Sequence, residues 1–148
     1  MPAVLLPYDQ GFFCIASGAK QNHDSAKYIT RYRLQDNPIQ ITPFESCFPT
    51  AMALSHDGSK LVVGSLAGFL SICNAQTGAV DRQLVTPLPD RSNRDAYIAA
   101  LAFDRNSEYI AVGKRLCFYS RIELWNVKKP IHSQLGHLSG YVEDLCFD

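Results

Sequence analysis

Ser55, His56 and Asp57 stand side by side, and these are the residue types of a nucleophile, its base and the acid that orients the base. Such a set works only when the three side chains converge. Successive residues of an extended chain point to opposite faces, so adjacency alone does not bring them together. Asp57-Gly58 lies between the apolar runs "AMAL" and "KLVV", which is the pattern of a tight hairpin, and the turn reading is preferred. Other candidates for chemistry are sparse. No zinc site is supported, because Cys14, Cys47, Cys73, Cys117 and Cys146 form no CxxC pair to complete a set with any of the four histidines. There is no HExxH, no GxSxG and no glycine-rich phosphate loop leading into a helix. Glu143 and Asp144 are neighbours, and alternation sends them to opposite faces of a strand rather than into an acid-base pair. The expectation is a chain that is not an enzyme and has no cofactor and no metal site.

The elements that carry these residues are bounded by composition. The 148 residues suit one domain with a sizeable core, and 47% of them are hydrophobic, which argues against disorder. Fourteen basic and fourteen acidic side chains cancel, leaving no broad field to recruit nucleic acid or an anionic membrane. Scattered cysteines, no Asn-x-Ser/Thr acceptor and a start that lacks basic residues favour an intracellular setting, cytoplasmic or nuclear. No apolar run reaches the roughly eighteen residues of a membrane span.

Internal similarity organises the rest. "AMALSHDGSKLVVGS" from Ala51 aligns with "AALAFDRNSEYIAVG" from Ala99, placing Leu61 over Ile110, 49 residues on. "AVLLPYDQGFFCIAS" from Ala3 aligns with the first of these, Phe13 falling 48 residues before Leu61. "YVEDLCFD" aligns with "YIAALAFD", Val142 standing 44 residues after Ile98. Each unit reads as strand, turn, strand, loop, strand, turn, strand, and no segment shows a helical period. The third strands are "KYITRYRL", "FLSICNA" and "RIELWNV".

The last of these resembles the third strand of a WD repeat, with Trp125 at the Trp position and Asn126 in place of Asp. "LGHLSGYVEDLCF" resembles the Gly-His segment, Gly136 and His137, that leads into a following repeat, and "ALSHDGSKLVVGS", with Asp57 and Gly58, resembles the first hairpin. Cys73-Asn74 and Tyr32-Arg33 stand where Trp-Asp would be in the other units, and Ala67 where a loop Asp is common, so the family's His-Ser-Trp-Asp network is incomplete. The resemblance implies an all-β fold of four-stranded antiparallel blades from a β-propeller of the WD-repeat family. Blade 1 spans about 1–46, blade 2 about 47–90 and blade 3 about 96–137, with the first strand of a further blade at 141–148. Three blades do not close a ring of about four to eight. The expectation is a partial propeller, completed by further blades of a longer chain or by another subunit.

The resemblance also implies that loops between second and third strands share a face with the links between units, and that this face binds peptides. Lys20, His23, Lys27, Arg91, Arg94, Lys114, Arg115 and Arg121 would then form a basic crescent, with Tyr119 as an aromatic anchor. The expected function is a non-catalytic scaffold that presents these loops to segments of partner proteins. RNA or anionic-lipid binding by the same crescent is an alternative that zero net charge and scattered aromatics disfavour. A fragment without activity of its own is another.

Overall fold

The computed structural model describes residues 4–15, 29–44, 48–66, 68–85, 97–129 and 132–148. These residues form three four-stranded antiparallel sheets and no helix. The first runs in the order β1 (Val4–Tyr8), β2 (Gly11–Ile15), β3 (Ile29–Arg33), β4 (Ile39–Ile41). The second contains β5 (Pro49–Leu54), β6 (Lys60–Ser65), β7 (Phe69–Asn74) and β8 (Val80–Val85). The third contains β9 (Tyr97–Phe103), β10 (Tyr109–Arg115), β11 (Ser120–Asn126) and β12 (His132–Leu138). No helix is long and apolar enough to cross a membrane among the described residues.

The middle sheet explains why its strands read as unbroken apolar runs. Alternate residues of β6 serve opposite faces: Val62 joins the core shared with the third sheet, whereas Leu61 and Val63 join the core shared with the first. β5 and β7 divide likewise, Ala51, Ala53, Leu70 and Ile72 going one way and Met52 and Cys73 the other. Ile98, Leu101, Ile110, Val112 and Trp125 complete the first of these cores; Phe13, Ile15, Ile29, Ile41 and Phe44 complete the second.

"SHDG" is a hairpin corner. The Ser55 amide donates to Lys60 O, Gly58 N donates to Ser55 O, and Gly58 adopts a φ of 71°. The third sheet repeats this turn: Asp104 N donates to Tyr109 O, Ser107 N donates to Asp104 O, and Ser107 has a φ of 58°. Ser55 Oγ accepts from Lys60 N at 2.8 Å, as Asp104 Oδ1 accepts from Tyr109 N at 2.7 Å. The turn therefore selects a side-chain acceptor at its first position, Ser55 in one sheet and Asp104 in the other. In the first sheet Asp9 and Gln10 make a shorter turn, with Tyr8 opposite Gly11.

Register corrects the alignment of the third strands. Trp125 lies opposite Ile110 and Cys73 opposite Leu61, and the residue opposite Phe13 is Arg31. The Trp position of the first unit thus belongs to Arg31 rather than Tyr32, which stacks on Phe12 at a half-exposed surface. Arg31 is 5% exposed, and its guanidinium donates to the Ala75 and Gln76 carbonyls in the β7–β8 turn. Arg82 makes the same kind of tie one unit on, donating to Val127 O and Lys128 O in the turn after β11. Asn74 and Asn126 each cap these turns, their amide oxygens accepting two backbone N–H groups apiece at 2.9 Å. Asn thus performs the turn-capping that an Asp at that position would perform.

Two expectations about the third unit change. Gly136 and His137 lie inside β12, opposite Ile122 and Arg121, rather than in a lead-in segment; a register shift at Ile122/Glu123 keeps the outer strand paired that far. Residues 141–148 are not assigned to a strand, because no strand among the described residues ladders with them. They are nevertheless docked as β9 is docked. Ile98 fills the space above Gly64, where any Cβ would overlap its side chain, and Val142 sits 2.7 Å from the Cβ that Gly113 lacks. The Val142 amide donates to Ser120 Oγ at 3.0 Å.

Candidate interaction surface on the third sheet

The pairing places the β10–β11 loop at the same end of the sheet as the start of β9, since Arg115 is opposite Tyr97 and Ser120 is opposite Leu138. A four-residue loop, Leu116 to Tyr119, closes this end with Leu116 N donating to Tyr119 O at 2.9 Å. Leu116 turns inward and is buried, which leaves Phe118 at the tip, 89% exposed. Beside it the Arg115 guanidinium lies 3.5 Å from the centroid of the Tyr141 ring and donates to Tyr97 Oη at 2.9 Å. Tyr141 Oη donates to Cys117 O, which fixes its ring over the cation. Tyr119 packs against the His137 ring, 5.1 Å between centroids. The result is an arginine held between tyrosines and flanked by an exposed phenylalanine.

The expected crescent is corrected here. Lys114 is a strand residue rather than a loop residue, because β10 runs on to Arg115. Its Nζ donates to Glu123 Oε1 at 3.0 Å, and both side chains are 2% exposed. Burial pushes the ammonium below the usual lysine value, with the Glu123 charge and hydrogen bond opposing that shift. Glu123 Oε2 accepts from Trp125 Nε1 at 2.9 Å. A Lys-Glu-Trp network thus stands inside the sheet. Sequence reading missed it because Glu123 and Trp125, two apart on β11, have no signature until Lys114 of the facing β10 is in register. Arg121 is the second residue of β11, its side chain is 12% exposed, and its nearest carboxylate oxygen is Glu123 Oε1 at 3.8 Å. Lys20, His23, Lys27, Arg91 and Arg94 lie outside the described residues. Of the expected anchors, Arg115 and Tyr119 come together at this end of the sheet.

The opposite end carries an open groove of about 680 Å³ between the first and second sheets, lined by Tyr8, Asp9, Arg33, His56, Asp57 and Asn74 among others. Ser55, His56 and Asp57, at this end of the second sheet, do not form a triad. Ser55 Oγ donates directly to Asp57 Oδ1 at 2.6 Å, and Ser59 donates to the same carboxylate through its amide and hydroxyl. These bonds, that from Ser55 foremost, hold the Asp57 carboxyl down at about 2. A hydroxyl spent on a carboxylate and a backbone amide is a turn brace, not a nucleophile activated by imidazole. No group of three or more His, Cys, Asp or Glu that could hold a metal occurs among the described residues.

Three four-stranded antiparallel sheets stacked face to face, each in chain order, are blades of a β-propeller, and the fold is that of WD-repeat propellers. Solved structures share it. The RRP9 WD40 repeats match with a TM-score of 0.63 at 21% identity, covering 97% of this chain and 41% of that one. U3-55K matches with 0.63 at 20% identity, over 97% of this chain and 42% of that one. A chain in the mitotic checkpoint complex matches with 0.58 at 21% identity, over 78% and 33%. The protein thus spans about two fifths of the length of the first two. No family model matches the sequence, and no curated protein matches it.

Proposed function

We propose that this chain is a non-catalytic interaction segment of a WD-repeat-like propeller, holding segments of partner proteins at the loop end of its third blade. The observation that carries the reading is the placement of Phe118, 89% exposed at the tip of a tight loop, beside Arg115 stacked on Tyr141. Burying such an aromatic and a pre-positioned arginine is how interface hot spots gain affinity, with little rotamer freedom to lose. The fold neighbours include a chain from a multiprotein assembly, which accords with a partner-binding role. Cys14, Cys73 and Cys146 are free thiols, in keeping with a reducing, intracellular compartment.

Site-specific photo-crosslinking tests the proposal. A photoreactive phenylalanine analogue at Phe118 should yield discrete protein adducts in cells, and the same analogue at Leu34, 85% exposed at the other end of the first blade, should not. Equal labelling at both sites, or none at 118, removes the loop-end reading.

A further inference from the structure

The charge left over at this end of the blade points to the chemistry of the partner, given the reading above that the face binds proteins. Lys114, Arg115 and Arg121 bring three cations to the end of the β10–β11 hairpin, and Glu123 is the one carboxylate paired with any of them among the described residues. Its two oxygens are committed to Lys114 Nζ and Trp125 Nε1. Arg121 reaches Glu123 at only 3.8 Å, and its Nε is buried without a hydrogen-bond partner. Arg115 pairs with no carboxylate among the described residues; tyrosine oxygens take at most two of its five N–H donors. Tyr141 covers one face of the guanidinium, so its edge is what remains to meet a ligand. A planar fork of donors matches the two oxygens of a carboxylate. The adjoining surface is apolar, with Phe118 at 89%, Tyr141 at 51% and Leu138 at 48% exposure.

We propose that this end of the third blade takes an acidic peptide segment, a Glu or Asp carboxylate docking on the edge of the Arg115 guanidinium while a neighbouring apolar side chain covers Phe118 and Tyr141. Arg115 acts as the anchor for charge and Phe118 as the anchor for area. Lys114 and Glu123 stay out of contact and hold the strand that presents Arg115.

Fluorescence anisotropy on the full chain tests this with three probes: a labelled peptide of alternating Glu and Leu, its Gln-Leu counterpart, and labelled polyuridine. The Glu-Leu peptide should bind best. Arg115→Gln should weaken it about tenfold or more, as expected for losing a charge-assisted hydrogen bond. Arg115→Lys, which keeps the charge and loses the fork, should fall between, and thermal melting of both variants should match the parent. Unchanged binding of the Glu-Leu peptide by Arg115→Gln overturns the proposal. Equal binding of the Gln-Leu peptide also overturns it and leaves the peptide-binding face standing. Tighter binding of polyuridine, lost in Arg115→Gln, overturns it in favour of nucleic acid. No peptide binding, together with no crosslinks at Phe118, removes both readings.

Discussion

Replacing Glu123 by Gln should destabilise this protein more than a change at any surface carboxylate. Glu123 is 1% exposed and stands between Lys114 Nζ at 3.0 Å and Trp125 Nε1 at 2.9 Å. Glutamine keeps the shape and can still accept from Trp125, and it removes the charge that compensates a buried ammonium. Breaking a buried pair from one side costs about 3–5 kcal/mol, because the surviving charge has neither water nor a counter-ion. That is a large share of the roughly 5–15 kcal/mol that holds an ordinary domain together. The same reasoning makes the pair itself weakly stabilising, since both ions were desolvated to form it. Lys114→Met combined with Glu123→Gln should therefore recover most of the loss. Trp125 is the sole tryptophan of the sequence, so urea unfolding followed by its fluorescence, with far-ultraviolet circular dichroism as a global check, reports the transition directly. A Glu123→Gln variant within about 1 kcal/mol of the parent would refute the reasoning, as would a double variant whose loss is the sum of the two single losses.

Acid should act through Asp57. Its carboxyl titrates at about 2 when folded against 3.8 ordinarily, so the folded state holds that proton less tightly than the unfolded chain does. The resulting stability is complete above about pH 4 and is lost as pH falls toward about 2. Asp57→Asn should flatten that part of the stability profile, and an unaltered acid limb in urea titrations would contradict the assignment. Gly64→Ala would drive a methyl into Ile98 and should cost about 1–3 kcal/mol in denaturation experiments. Gly113→Ala, pressing on Val142 in a segment held by no ladder, should cost less and show as faster exchange of the Val142 amide. Equal stability losses in the two variants would mean that 141–148 is packed as firmly as β9.

The fold was legible because its signal is local and repeated. Two-residue alternation and Asp-Gly or Asn-Ser corners recur at nearly equal spacing, and each recurrence marks a hairpin whatever its neighbours are. The site was legible only in part, for a geometric reason. "GKRLCFYSR" reads as a polar loop because four of its nine residues are Lys, Arg or Ser, yet its ends are strand, and alternation turns Lys114 inward and leaves Arg115 at the edge. Nothing in the local pattern distinguishes the two until Glu123 of the facing strand, diagonal to Lys114, is in place to receive its ammonium. Arg31 is a similar case. A charged residue at a tryptophan position is intelligible only once the carbonyls of the next blade's turn, Ala75 and Gln76, are in place to receive it. By sequence Tyr141 reads as the start of a new strand, and its service to Arg115 depends on a contact across 26 residues that no motif encodes.

The loop end of the third blade as the binding surface is tested most directly by mapping amide chemical shifts during titration with the Glu-Leu peptide. Perturbations should concentrate at Tyr97, at Arg115 to Tyr119, and at Tyr141 and Val142, with the hairpin corners 55–59 and 104–107 unmoved. Shifts confined to those corners, or spread evenly over all three blades, would contradict it.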